Sequence, residues 1–259
     1  MEPRLSVLVC SGTGCVSRDS FPIRDAFVEE VKTRELENEV EVVITGCHGF
    51  CAKGPIVLIQ PDGVFYQQIS VKDVPRLVEE HFVKGRPLKE KLYVPPEGGL
   101  PIPKLMDIDF FKDQLLIALR NRGLIDPENI EDYIARDGYQ SLATVLTEMT
   151  PDGVIDVMTR SGLRGRGGGG FPAGVKWESA RKAKGDIKYV LCNADEGDPG
   201  AFMDRAIIEG DPHSIIEGMT IAAFAIGSEL GFIYSRKEYP LAVKRMQMAI
   251  DQAKDYGLL

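Results

Sequence analysis

Four cysteines in the first fifth of the chain constrain its fold more than any other feature of the sequence. They fall into two pairs, Cys10 with Cys15 and Cys47 with Cys51. Each pair directly follows a predicted β-strand, the first at residues 5–9 and the second at residues 40–45. Loops that leave the same ends of neighbouring strands lie side by side at one edge of a sheet. The sequence therefore predicts that the four sulfur atoms converge.

The rest of residues 1–83 completes a small α/β pattern around these loops. The further predicted elements are a helix at 21–37, strands at 55–60 and 64–69, and a helix at 71–82. Asp62-Gly63 between the last two strands is a strong hairpin signal. The order β-α-β-β-β-α fits a thioredoxin-like sandwich. We predict an α/β fold in which this sandwich is the first of two domains.

Glycine is frequent in the loops that carry the cysteines, at Gly12, Gly14, Gly46, Gly49 and Gly54. Backbone without side chains can direct N–H groups at sulfur, as a sulfide-bridged iron cluster requires, so we favour a [2Fe–2S] cluster. A structural zinc site is a second interpretation, although zinc ribbons usually have tighter cysteine spacings. Disulfides or unliganded cysteines are a third. Four cysteines already saturate a cluster, so we expect His48 to be a loop residue rather than a Rieske-type ligand.

Charge and hydropathy exclude several classes of protein. The chain has 259 residues and a formal net charge of −8, and it has no basic tail with which to bind nucleic acid. Its apolar runs are far shorter than the ~20 residues that span a bilayer, and the N-terminal run is too short for a signal peptide. We expect a cytoplasmic protein with no direct membrane insertion. In that compartment, clustered cysteines indicate a metal or redox function rather than structural disulfides.

A proline- and glycine-rich stretch at residues 84–104 interrupts the α/β pattern, because it cannot continue a helix or a central strand. We interpret it as an extended interdomain linker. The alternative is a structured loop laid over one domain, since Leu92, Tyr93 and Val94 can pack. Residues 105–259 then form the second domain. Its first predicted helices lie at 110–122, 130–136, 139–148 and 152–160.

The glycine run at residues 165–170 is the most unusual segment of the second domain. It matches a dinucleotide fingerprint formally, but a Rossmann turn follows a strand, and residues 153–160 predict a helix. Adjacent glycines instead let the backbone approach a flat, phosphorylated ligand. Phe171 offers an aromatic face to such a ligand. Three cations supply the charge that a phosphate requires: Arg164, Arg166 and Lys176.

A predicted buried strand at residues 188–192 runs directly into an acidic loop. The polar residues of this loop are Asn193, Asp195, Glu196 and Asp198. Alone, such a loop is an ordinary polar surface segment. After a glycine-rich phosphate loop, we interpret it as a clamp on ribityl or ribose hydroxyl groups, which Asn and Asp side chains can hydrogen-bond.

These motifs resemble two known families. The Cys-x4-Cys and Cys-x3-Cys pairs within residues 5–83 resemble the thioredoxin-type [2Fe–2S] ferredoxins. That family includes the small iron–sulfur subunit of complex I and the domains fused to bacterial hydrogenase flavoproteins. The glycine run and acidic loop, within residues 107–259, resemble the FMN- and NADH-binding flavoprotein subunit of complex I. They also resemble the diaphorase subunits of NAD-linked hydrogenases and formate dehydrogenases, including electron-bifurcating ones.

The second resemblance implies a ligand for each loop. It implies that FMN contacts Gly165, Arg166, Gly167, Gly168 and Lys176. The ribityl chain and ring edge of FMN would be held by Asn193, Asp195 and Glu196, and NAD(H) would bind near Phe171 and Asp198. Complex I flavoproteins usually have Glu at the position of Asp198 and Ala at that of Gly169. These departures favour the hydrogenase-type relatives.

Part of the family pattern is not found in this sequence. In the family, a further glycine-and-glutamate segment completes the flavin pocket and later cysteines bind a [4Fe–4S] cluster, whereas this sequence ends at Leu259. We expect either an N-terminal portion of a longer polypeptide or completion by a companion chain, with weak FMN binding by the chain alone. We expect the remaining cysteine, Cys192, to be a buried strand residue.

The function that we predict is NADH-linked electron transfer between NAD(H), FMN and iron–sulfur clusters. The chain would be the diaphorase part of a hydrogenase, formate dehydrogenase or complex I-like assembly, with iron–sulfur and catalytic subunits as partners. Hydride chemistry belongs to the nicotinamide and the flavin, so no side-chain acid or nucleophile is required. The alternatives are an electron-relay or assembly module without a functional flavin site, and a thioredoxin-like disulfide reductase.

Overall fold

The computed structural model describes residues 3–259, and the chain divides into two compact units. Unit 1 extends to Asn129 and includes Glu209–Asp211, whereas unit 2 holds Ile130–Ile208 and Pro212–Leu259. Across residues 3–259, no helix combines the length and the apolar character needed to cross a membrane.

Unit 1 is built on a four-stranded mixed sheet in the order β2-β1-β3-β4. The strands are β1 (Leu5–Cys10), β2 (Val40–Thr45), β3 (Val57–Gln60) and β4 (Val64–Tyr66). β1 and β2 are parallel, whereas β3 is antiparallel to both of its neighbours. The register that pairs Cys10 with Thr45 brings the carboxyl ends of β1 and β2 to the same edge. The predicted α/β sandwich is confirmed.

Helices cover one face of this sheet. α1 (Thr13–Val16) is short, and α2 (Ser20–Thr33) buries Ile23, Phe27 and Val31 against the sheet. The predicted helix at 71–82 forms as three successive turns: a 3-10 turn at Val71–Asp73, α3 (Val74–Leu77) and a π turn at Val78–Val83.

Residues 84–104 are not an extended linker, so this prediction is wrong. Leu88, Leu92 and Tyr93 are buried on unit 1, and isolated bridges pair Tyr66 with Leu92 and Tyr93 with Ile102. The stretch packs because its apolar side chains cover hydrophobic surface of the sheet. The surface-loop alternative therefore describes it, and the division between the units falls after Asn129 rather than at residue 105.

The helix predicted at 110–122 is also largely wrong. Only α4 (Asp109–Lys112) forms, and the chain continues to Asn129 in irregular turns. Phe111 and Ile125 are buried within unit 1, and Gly123 has a φ of 71°. Long-range packing of these residues prevails over the helical pattern of the sequence.

Unit 2 combines helices with a two-stranded parallel sheet of β5 (Tyr189–Ala194) and β6 (Leu230–Ser235). The helices that follow Asn129 are α5 (Ile130–Ile134), α6 (Gln140–Glu148), α7 (Pro151–Ser161), α8 (Ala173–Lys182), α9 (Met203–Gly210), α10 (Pro212–Ile226) and α11 (Pro240–Asp255). The prediction of a buried β5 is wrong, because Tyr189 and Leu191 are exposed and Cys192 is only half-buried. The sheet has two strands, so its outward side chains have no layer to cover them.

Candidate functional site

The four N-terminal cysteines lie together at the carboxyl edge of β1 and β2. The Sγ atoms of Cys47 and Cys51 are 3.8 Å apart, and the Cys10 thiol interacts with those of Cys15 and Cys47 closely enough to shift its pKa. Cys51 is half-buried, whereas the other three are buried. The structure thus brings together the sulfur atoms that the sequence pattern predicts to converge.

Crowding of the thiols changes their acidities. Hydrogen bonding with Cys15, together with burial, raises the pKa of Cys10 to about 12, and hydrogen bonding with Cys10 raises that of Cys47 to about 11. The hydrogen bond from Cys10 lowers the pKa of Cys15. The thiols therefore share protons that iron must displace, since only thiolates are ligands.

Glycine is required where the loops pass the sulfur atoms. A Cβ at Gly12 would lie 3.1 Å from the Sγ of Cys47, and one at Gly54 would lie 2.8 Å from the Sγ of Cys15. The backbone N–H of Gly49 donates to the Sγ of Cys47 at 3.3 Å. Within residues 3–259, no group of three or more His, Cys, Asp or Glu side chains forms a site for a single metal ion. Four thiols that supply two ligands to each of two irons fit a [2Fe–2S] cluster.

His48 is a packed loop residue. Its ring lies against Gly123, where a Cβ would be 2.2 Å from the ring, and its Nε2 is 3.5 Å from the hydroxyl of Thr45. Burial, with the nearby charge of Arg122, lowers the pKa of His48 to about 4, so the ring is neutral at pH 7.

The glycine run joins α7 to α8 in unit 2. α7 ends at Gly162, which has a φ of 66°, and Arg164 crosses the loop to donate to the carbonyl of Gly170 at 2.6 Å. Gly167 and Gly169 have no neighbouring atom within 4 Å of a Cβ position and do not have a positive φ. Neither packing nor conformation requires glycine at these two positions. The approach of a ligand to the backbone would account for glycine there.

The cations of this loop lie where a phosphate can bind. Arg166 and Phe171 are exposed in the loop, and Lys176 is exposed in the first turn of α8. The N-terminal amides of this ten-residue helix follow the loop directly, so they add donors to the same anion site. The donor set therefore fits the phosphate of FMN.

The acidic loop begins at the carboxyl end of β5. The side chain of Asn193 accepts from the backbone N–H of Asp195 at 3.0 Å. Glu196 accepts from the N–H groups of Met203 at 2.6 Å and Asp204 at 3.3 Å, which caps the first turn of α9. In this structure the Glu196 carboxylate thus holds the loop onto a helix, whereas Asp195 and Asp198 are exposed.

Sequence reasoning missed two residues at this edge. Arg236, immediately after β6, donates to the carbonyl of Glu196 and lies 4.0 Å from a carboxylate oxygen of Asp195. The hydroxyl of Tyr239 is 3.3 Å from the Glu196 carboxylate, and the Arg236 guanidinium lies over its ring. The one available signal was the position of Arg236 at the end of a strand parallel to β5.

Unit 2 also contains an apolar cavity of about 880 Å³. Its lining comes mainly from α10, β6 and α11, with residues such as Met219, Phe232 and Met246. None of the predicted flavin residues lines it, so it does not belong to the phosphate loop.

Comparison with known families distinguishes among the interpretations of these sites. The model of the thioredoxin-like [2Fe–2S] ferredoxins matches residues 2–81, and that of the Nuo51 FMN-binding domain matches residues 158–257. The chain joins a thioredoxin-like [2Fe–2S] ferredoxin domain to a Nuo51 FMN-binding domain. Its cofactors are accordingly a [2Fe–2S] cluster and FMN, and both resemblances seen in the sequence are confirmed.

Two curated relatives are similar to part of this chain. The chain is 62% identical over 148 residues to the NADP-reducing hydrogenase subunit HndC of Solidesulfovibrio fructosivorans. This match covers 57% of this chain and 30% of that protein. It is 48% identical over 143 residues to an NADH-quinone oxidoreductase subunit of Rhizobium meliloti, covering 55% and 34%. The chain therefore matches about a third of the length of these relatives.

Two solved structures are also similar. The thioredoxin-like [2Fe–2S] ferredoxin from Aquifex aeolicus shows 31% identity and a TM-score of 0.33, covering 35% of this chain and 96% of the ferredoxin. An NAD⁺-reducing [NiFe]-hydrogenase shows 22% identity and a TM-score of 0.45, covering 98% of this chain and 41% of that one.

Proposed function

We propose that this chain belongs to an NADH-linked oxidoreductase and passes electrons between NAD(H), FMN and iron–sulfur clusters. The observation that carries the proposal is the presence, in one chain, of a converged four-thiol site and an FMN-binding domain with an exposed cationic glycine loop. FMN accepts electron pairs as hydride and releases electrons singly, whereas the cluster carries one electron at a time.

On the cluster side, the residues bind the cluster and shield it from solvent. Cys10, Cys15, Cys47 and Cys51 supply the four thiolate ligands. The glycines beside them keep side chains away from sulfur and leave room for backbone N–H donors, of which Gly49 is one. Burial of three of the four cysteines limits solvent access, which is one determinant of a cluster's potential.

On the flavin side, the residues hold one FMN molecule at two points, its phosphate and its ribityl chain. Gly165, Gly167 and Gly168 let the backbone approach the phosphate, while Arg166 and Lys176 neutralise its charge. Asn193 and Asp195 bind the ribityl hydroxyls, and Glu196 keeps their loop in place through its contacts with α9. NAD(H) binds near Phe171 and Asp198.

The partners that we propose follow from the relatives, which are named as subunits of a hydrogenase and of NADH-quinone oxidoreductases. Iron–sulfur and catalytic subunits of a hydrogenase, formate dehydrogenase or complex I-like assembly would exchange electrons with this chain. A cytoplasmic location fits such an assembly, and a [4Fe–4S] cluster outside this chain would extend the relay.

Titration with FMN and riboflavin tests the flavin site, because the two ligands differ only by the phosphate. Lys176→Ala should weaken FMN binding by roughly 10- to 100-fold, the usual effect of losing a charge-assisted hydrogen bond, and leave riboflavin binding unchanged. Lys182→Ala, at the other end of α8, is the matched control and should change neither affinity. Fluorescence quenching of the flavin measures both.

The electron-relay alternative has support of its own, since the carboxylate of Glu196 is already engaged with α9. It predicts a chain that contains iron and sulfide but gives no saturable FMN binding. Equal loss of FMN and riboflavin affinity in Lys176→Ala would also contradict the phosphate assignment.

A further inference from the structure

Arg122 lies against the loop that carries Cys47 and Cys51, although it is 71 residues beyond Cys51 in the chain. Its Nη1 is 3.1 Å from the position that a Cβ of Gly49 would take. The same glycine donates its backbone N–H to the Sγ of Cys47. The guanidinium thus packs on the residue that contacts a sulfur atom of the cluster site.

Neighbouring groups fix the position of this side chain. The guanidinium carbon lies 5.8 Å from the centroid of the buried Phe111 ring, and Nη2 donates to the side chain of Gln114 at 3.3 Å. The Phe111 ring in turn packs edge-on against the ring of Phe50, a residue of the cysteine loop, with the ring centroids 5.6 Å apart. Gly123, the next residue after Arg122, packs against the ring of His48. The segment is therefore held on both sides of Arg122.

The charge of Arg122 is not balanced by an acidic side chain of residues 3–259. Within that range, no Asp or Glu forms an ion pair with this guanidinium. Burial lowers the pKa of Arg122, whereas the charges of Cys47 and Cys10 raise it. A partly buried cation requires a nearby negative charge. The side chains whose charge acts favourably on this guanidinium are Cys47 and Cys10, which become thiolates when they bind iron.

We propose that Arg122 sets the reduction potential of the [2Fe–2S] cluster by holding a fixed positive charge beside its Cys47 and Cys51 loop. Reduction adds one negative charge to the cluster, so a fixed cation stabilises the reduced form more than the oxidised form. Arg122 therefore raises the midpoint potential and makes the cluster a better electron acceptor. The inference rests on the four-cysteine cluster of the proposed function.

Potentiometric titration of the anaerobic, reconstituted chain, followed by electron paramagnetic resonance of the reduced cluster, tests this role. Arg122→Met should lower the reduction equilibrium constant about tenfold or more, which is ~59 mV for a one-electron couple. Arg122→Lys should recover most of the loss because it restores the charge. Arg120→Met removes the same charge from an exposed side chain of the same segment and should leave the potential unchanged.

The salt dependence of the potential distinguishes Arg122→Met from Arg120→Met further, because screening acts on exposed charges much more than on partly buried ones. The Arg122→Met shift should persist at high ionic strength. If that variant does not retain the cluster, Arg122→Gln takes its place. An unchanged potential in the neutral variant, or a shift equal to that of Arg120→Met, would overturn the proposal. Loss of the cluster from all three Arg122 variants would do so as well. Failure of the four-cysteine site would be distinct, since the wild type itself would then give no cluster signal.

Discussion

The cysteine loops show at the residue scale why spacing carries so much information. Cys10 ends β1 and Cys47 follows β2, and the register of these parallel strands is fixed, so the two sulfur atoms meet wherever the rest of the chain lies. The same loops are rich in glycine, and at Gly12 and Gly54 the structure supplies the reason, since a Cβ there would crowd a cysteine Sγ. Arg122 left no signal in the sequence and Arg236 left only its position after a strand, because both side chains make their contacts with distant segments.

Replacement of a ligand tests the cluster assignment. Cys47→Ser should abolish or strongly reduce iron and acid-labile sulfide while leaving unit 2 folded, because its core does not include the cysteine loops. Cys192→Ser is the matched control and should retain both. Metal and sulfide analysis of the purified chains gives the result. Stoichiometric zinc without acid-labile sulfide in the wild type would contradict the assignment.

The glycine at the start of α1 offers a steric test. A Cβ at Gly12 would lie 2.5 Å from the Cβ of Cys47, so Gly12→Ala must displace one of the two loops. We expect a several-fold loss of cluster content and a shifted absorption spectrum. Ser17→Ala, an exposed site of the same turn, should have neither effect. Full cluster content in Gly12→Ala would show that the loops adjust freely.

At the scale of elements, local patterns predicted the strands of unit 1 and the first three helices of unit 2. They failed where tertiary contacts decide the structure. Residues 84–104 contain prolines that exclude regular structure, yet Leu92 and Tyr93 cover the sheet. β5 has the composition of a buried strand, but the burial of a strand depends on what packs over it, which no local pattern records.

Limited proteolysis distinguishes these segments. The exposed glycine run should be cleaved by trypsin first, after Arg164 or Arg166, because few contacts hold its backbone. Saturating FMN should slow this cleavage in the wild type more than in Lys176→Ala. Mass spectrometry of the early fragments identifies the site. First cleavage after Lys89 or Lys91 would mean that residues 84–104 are not packed in solution.

A buried histidine links the stability of unit 1 to pH. The hydroxyl of Tyr66 hydrogen-bonds with the Nδ1 of His81 at 2.9 Å and accepts from the N–H of Leu88 at 3.1 Å. Burial lowers the pKa of His81. The negative charge of Asp62 opposes this shift, and the positive charge of Arg4 adds to it. The unfolded chain then binds a proton on this histidine more readily than the folded chain does. The stability that neutral, buried His81 contributes is therefore complete above the unfolded pKa of ~6.5, and it is lost as pH falls through the folded pKa.

Thermal unfolding followed by circular dichroism between pH 7.5 and 5 measures this linkage. The wild type should lose more stability on acidification than His81→Gln, which keeps an acceptor for Tyr66 but does not titrate. Parallel pH profiles for the two proteins would assign the acid sensitivity to other groups.

At the scale of the whole molecule, two cofactor domains in one chain support a relay function more strongly than either domain alone. Neither fold by itself specifies a reaction. In the function that we propose, the cluster domain carries single electrons, and FMN on the other domain exchanges hydride with a nicotinamide. The cysteine spacing predicted the cluster, the glycine run predicted a phosphorylated ligand, and the family resemblance of the two loops implied that this ligand is FMN. The parent assembly depends on surfaces that those motifs do not describe.

Reduction of the cluster by NADH tests the central claim most directly. The anaerobic, reconstituted chain is mixed with NADH, with FMN, or with both, and the paramagnetic signal of the reduced cluster is recorded over time. The account predicts a signal that develops only when NADH and FMN are both present and that rises with the FMN occupancy measured by titration. Lys176→Ala, at the same free FMN concentration, should give a slower rise. A wild-type cluster that dithionite reduces but that NADH with saturating FMN leaves oxidised would contradict the account.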